Sequence, residues 1–145
     1  MALNLIKLSV GIENIQHLQD IQNRRLNDMK AQKRKIQLRH LTRHMPRRQK
    51  ELLDGGSLYW VIKGVIQVRQ KLIGFESTKR QNGTPACAIL FEKEHIRTLP
   101  KKFRAFQGWR YLTMENAPPD LASLSAVDSK LPVEMSQELR SLGLL

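Results

Sequence analysis

A chain of 145 residues, 41% of them hydrophobic, is sized and composed for one domain with a core of its own, which excludes wholesale disorder. Twenty-five Lys and Arg against 13 Asp and Glu leave a formal net charge of +12. The single cysteine, Cys87, excludes an intrachain disulfide and a cysteine-built zinc site, and no run approaches the roughly 18 apolar residues of a membrane span.

Leu3, Leu5, Ile6, Leu8 and Val10 are too dense for clean alternation and predict a buried strand over 3–10, ended by Gly11. Ile15, Leu18, Ile21, Leu26 and Met29 recur at helical spacing and predict a helix from Ile12 to Lys33. Its outer face carries Arg24, Lys30, Lys33 and Arg34. Residues 36–43 alternate like a strand. Pro46 then opens a short helix, Arg47 to Leu53, because the missing N–H of proline is tolerated in a first turn, and Asp54-Gly55-Gly56 stops it. Ser57–Ile62 and Val65–Ile73 read as strands joined by the turn Lys63-Gly64. A second turn, Gln81-Asn82-Gly83-Thr84, leads into the strand Ala86–Phe91, with Cys87 as a small core residue. A helical turn over 92–97, a basic loop over 101–104 and a last strand, Trp109–Leu112, complete the domain.

Ala117-Pro118-Pro119-Asp120 breaks the pattern, and the residues beyond it are small, polar and mildly acidic. The expected division is one domain over 1–116 and a tail over 117–145. The tail carries a short amphipathic helix, Val133 to Leu142, with Val133, Leu139 and Leu142 inward. The N-terminus lacks the basic start and unbroken apolar run of a signal peptide, so the cytoplasm is the expected location. The fold class expected is α+β: a small antiparallel or barrel-like sheet with two or three flanking helices.

Charge is concentrated. Residues 21–50 hold eleven Lys or Arg and one acid, Asp28, a net +10. Such clustering is the footprint of a polyanion partner, set against the plainer reading of a solvated charged face. Arg39, Arg43, Arg47, Arg48 and Lys50 surround the start of the second helix, where free N–H groups and the helix dipole attract phosphate. Arg24, Arg25, Lys30, Lys33, Arg34 and Lys35 extend the track. Trp60 reads as core; Trp109 and Tyr111, after a glycine and a basic loop, are the better candidates for base stacking, flanked by Arg69 and Arg110. His40 and His44 lack a third ligand, so no metal is expected. Gly55-Gly56-Ser57 lacks the Lys-Ser/Thr of a phosphate loop, and no cofactor is expected.

The segments Thr42-Arg43-His44-Met45-Pro46 through Trp60-Val61-Ile62-Lys63-Gly64, Arg69-Gln70, and Phe106-Gln107-Gly108-Trp109-Arg110-Tyr111-Leu112 resemble a bacterial family catalogued as domain of unknown function 1489, associated with alphaproteobacteria. The resemblance covers nearly the whole chain up to Asp120, and it implies a small free-standing cytoplasmic protein and no activity. A fainter likeness, in a strand ending Ile66-Gln67-Val68-Arg69, is to PUA and ASCH domains, small β-barrels that generally bind RNA. Gln67 stands where ASCH domains have an acid, and their Lys-Thr pair is missing.

The leading expectation is RNA binding, or DNA binding, through Arg39, Arg43, Arg47, Arg48, Lys63, Arg69, Trp109 and Arg110. Two alternatives stay open. One is a small enzyme acting on a modified nucleoside or anionic metabolite, with Lys63, Arg69, Tyr59 and Glu76 or Asp54 in one pocket. The other is a subunit that docks on ribosomal or acidic protein surfaces.

Overall fold

The computed structural model describes residues 2–104 and 106–122. The tail helix expected from Val133 to Leu142 lies outside them. Seven strands and two helices follow in the order β1 (Leu3–Leu8), α1 (Ile15–Ala31), β2 (Leu38–Thr42), α2 (Gln49–Leu53), β3 (Ser57–Ile62), β4 (Val65–Lys79), β5 (Pro85–Phe91), β6 (Ile96–Lys102) and β7 (Trp109–Thr113). The strands form one sheet in the order β2-β5-β4-β3-β1-β7, with β6 paired to β4 off that path. The class is α+β, as expected. The sheet is mixed, because β1 pairs with β3 in parallel and with β7 antiparallel, and open, because its end strands β2 and β7 do not pair with each other. A closed, PUA-like barrel is therefore not what forms.

The β3–β4 hairpin turns on Lys63 and Gly64, both at positive φ (50° and 79°), the backbone a two-residue turn needs to match strand twist. β3 is buried at all six positions because both its faces carry core. Leu58, Trp60 and Ile62 join Leu3, Leu5, Leu18 and Phe91 beneath the helices; Tyr59 and Val61 join Ile6, Ile66 and Leu112 on the other face. β4 is longer than the alternation suggests. It runs on past Ile73 to Lys79, irregular at Leu72/Gly74, and there its partner is β5; nearer its start it pairs with β3 and β6.

α1 starts at Asn14, whose Oδ1 accepts from His17 N at 2.8 Å, and buries Ile15, Leu18 and Gln22 against the sheet. Gly56 follows α2 where space is smallest: a Cβ there would lie 2.0 Å from Leu3 O and 2.3 Å from Leu52 O. The helical turn expected over 92–97 and the loop expected over 101–104 do not form as such. Most of that stretch is β6, and its Pro100 sits in a strand hydrogen-bonded mainly to one neighbour, where a missing N–H costs little. Past residue 116 the chain still packs on this strand, through Leu99 N to Pro119 O and a bridge between Thr98 and Asp120.

Candidate nucleic-acid interface

Three groups of polar side chains differ in what they are bonded to, and the difference locates the site. The first is buried. Trp60 Nε1 donates to Gln70 Oε1 at 2.9 Å. An indole N–H can only donate, so it fixes the Gln70 amide, whose Nε2 then donates to Gln22 Oε1 (2.8 Å) and Glu92 O (3.0 Å). Gln22 Nε2 returns a bond to Gln70 Oε1 at 2.9 Å. His95 Nε2, 2.7 Å from Gln22 Oε1, must be a donor, and burial lowers the pKa of the ring.

The second group holds several of the cations expected to meet nucleic acid. Arg69 forms a two-pronged bridge to Asp120 (2.8 Å each) and donates to Ser57 Oγ at 2.7 Å, and it holds the Asp120 carboxyl below its ordinary pKa. Lys63 pairs with Glu13 at the hairpin turn. Arg48 pairs with Glu51 and lies over the Tyr111 ring, 5.5 Å from its centroid. Arg110 lies over Phe106 at 5.0 Å. These arrangements engage all three nitrogens of the Arg69 guanidinium and give Lys63, Arg48 and Arg110 partners of their own.

The expected phosphate seat at the second helix is also filled. α2 is a single short turn, and the N–H groups of Arg47 and Arg48 both donate to Tyr111 Oη, at 3.1 and 3.3 Å. Trp109 donates from Nε1 to His44 O at 2.8 Å and meets Tyr111 edge-on at 5.0 Å. β7 therefore holds the 44–48 segment in place, and Tyr111 belongs to that clasp instead of a free stacking platform.

The third group is unpaired. β1 sets Lys7 directly between Trp60 on β3 and Trp109 on β7, so the three share one face of the sheet. Lys7 is partly buried; that burial, then the charge of Arg80, lowers its pKa. Two clefts meet at it. One, about 300 Å³, lies between the end of β1 and α1 and is bordered by Lys7, Arg25, His17, His40, Gln22 and Trp60. The other, about 640 Å³, is bordered by Lys7, Arg43, Arg80, Gln107, Gly108 and Trp109. Among the described residues no Asp or Glu lines either cleft, and the side chains of Lys7, Arg25, Arg43 and Arg80 have no acceptor. His40 packs edge-on to Trp60 at 5.3 Å. Its pKa is pushed down to about 4, mainly by burial and then by the charges of Lys7, Arg25 and Arg80.

Of the residues expected from the sequence, Arg43, Trp109 and, from the extended track, Arg25 reach this face. Arg39 borders a different cleft with Arg34, Lys35 and Glu76, and Arg47 is exposed beyond β2. Sequence reasoning misses Lys7 and Arg80. The signal for Lys7 is a lone lysine at the inward-facing position after Leu3 and Leu5. Arg80 gives none, since only the β4–β5 hairpin carries it there. The side chains of the enzyme alternative do not converge: Tyr59 is buried beside the engaged Arg69, Lys63 sits at the far turn, and Glu76 borders the Arg39 cleft. No helix among the described residues is long and apolar enough to cross a membrane. No curated protein and no solved structure matches the chain, so the PUA likeness gains no support. The family model described as a protein of unknown function (DUF1489) matches residues 5–145, and the chain belongs to that family.

Proposed function

We propose that this protein binds RNA, as a single strand, along the face that runs from Arg25 through Lys7 and Arg80 to Arg43 and Trp109. The observation that carries the reading is the convergence of four cations with no acidic partner among the described residues. Unneutralised charges crowded on one face destabilise the free protein and are relieved by a polyanion, which releases counterions as it binds. Clefts of about 300 and 640 Å³ admit splayed nucleotides and not a duplex, whose readout would need a broad convex or ridged surface. The test is titration of the nuclease-treated protein with single-stranded RNA, duplex RNA and duplex DNA over a range of salt. The expected result is preference for the single strand, with a steep negative salt slope. Arg43→Glu with Arg80→Glu lowers affinity by roughly a hundredfold and flattens the slope by about 1–2. Equal, weak binding of all three polyanions, insensitive to those changes, overturns the reading.

A further inference from the structure

The smaller of the two clefts differs from the larger in its walls. Ile12 and Ile21 make its wall apolar above a floor of Leu18, Trp60 and Phe91, which are 2–5% exposed, while Lys7 and Arg25 place charge at its rim. A bare phosphate would use the rim and leave the apolar wall wet. An uncharged ring would use the wall and leave the cations without a partner. The cleft fits a ligand that has both parts.

Its polar groups narrow the choice. Ser9 Oγ, on the lining, is buried and has no hydrogen-bond partner among the described residues, so a ligand atom there would satisfy it. Gln22 is 3% exposed, and its amide is locked by Gln70 and His95 with one Nε2 proton left over. His40 brings a neutral imidazole with no hydrogen-bond partner among the described residues. A donor amide, a hydroxyl and a neutral ring nitrogen against an apolar wall match the edge of a heterocycle. Two cations alongside match one phosphate. A volume of about 300 Å³ is at the lower end of small-molecule sites and holds one such unit.

We infer that the cleft between the end of β1 and α1 is a pocket for a single nucleoside monophosphate unit, with its base between Trp60 and the inner face of α1 and its phosphate on Lys7 and Arg25. The inference deepens the RNA-binding reading and takes its ligand class from it. The same unit is available as a free nucleotide or as one residue of a strand.

The experiment uses the whole chain, ¹⁵N-labelled. It is titrated with each of the four nucleoside 5′-monophosphates, the matching nucleosides, inorganic phosphate and a short single-stranded RNA. The indole N–H signals of Trp60 and Trp109 are followed beside calorimetry. A monophosphate is expected to move the Trp60 signal saturably and the Trp109 signal little. Removing the phosphate, or making Lys7→Met or Arg25→Gln, weakens binding roughly tenfold or more, the usual worth of a charged hydrogen bond. Lys7→Met keeps the packed stem and deletes a partly buried charge, so this variant folds. Ser9→Ala weakens binding without moving the unfolding midpoint downward. A Trp60 signal that no monophosphate moves at millimolar concentration overturns the inference, as does inorganic phosphate binding as tightly as the nucleotides. RNA binding with Trp60 unmoved removes the pocket and leaves the wider reading standing. Nucleotide binding that RNA cannot match removes the wider reading and leaves a pocket for the free nucleotide.

Discussion

Arg69 and Lys7 are both partly buried cations on central strands, and they are treated in opposite ways. Around Arg69 every charge meets its complement: a carboxylate grips both prongs of the guanidinium, and a serine hydroxyl takes a third bond. The neighbouring Gln70, facing the opposite way, is satisfied just as completely. Around Lys7 positive charge gathers instead, adding to the burial that depresses the His40 pKa and answered by no acid among the described residues. Placing a cation in a fold thus has two outcomes. A partner on the same chain makes it structural, while a missing partner makes it a site waiting for something external.

This contrast can be broken by measuring stability, and the largest effect belongs to the satisfied side. Gln70→Leu orphans Trp60 Nε1, the Gln22 amide and the Glu92 carbonyl together. It is expected to cost about 3 kcal/mol and lower Tm by roughly 6–12 °C in calorimetry. An unmoved Tm would mean the buried amides are incidental.

The next effect is pH-dependent. His40 has a folded pKa of about 4 against an ordinary 6.5, so the unfolded chain takes up the proton first as pH falls. Stability is therefore fully present above pH 6.5 and drains away between there and the folded pKa, by about 3 kcal/mol. Urea unfolding at a series of pH values reads it, and His40→Gln should lack that part of the slope.

Smaller again is Arg69→Met, at about 1–2 kcal/mol, because the Asp120 it abandons is partly exposed and can rehydrate. The double variant with Asp120→Asn should cost less than the two single changes added together, which is the mark of a coupled pair. Smallest is the unpaired side. Arg43→Glu with Arg80→Glu should leave stability within about 0.5 kcal/mol or raise it slightly, since these charges hold nothing together. A large loss from that double variant would place Arg43 and Arg80 among the structural cations and erase the contrast.

Legibility in the sequence tracks the range of the interactions. The β3–β4 hairpin is readable because a Lys-Gly turn and two flanking apolar runs are local facts. β6 is not, because its Thr, Pro and Lys residues give no period, and it is a strand through its pairing with β4. The candidate site is half readable for the same reason. Arg43 lies in a run of basic residues and announces itself, whereas Lys7 stands alone and Arg80 follows only Lys79, 73 positions further on. The tyrosine that caps Arg47 and Arg48 is readable as an aromatic but not as a plug, since its hydroxyl reaches them across more than 60 residues.

β1 is paired on one side with β3 and on the other with β7, so that Leu3 stands opposite Thr113. On the ribosome β1 emerges before the other six described strands and is thus among the last to be completed. Residues 3–8 wait through the synthesis of roughly a hundred more before both their edges are covered. Contacts of such span slow folding, and until they close the nascent chain shows an unpaired strand edge with apolar side chains on both faces. Any chain cut short before Trp109 would carry that exposed edge permanently, and aggregation, more than lost binding, would be the first thing seen of it.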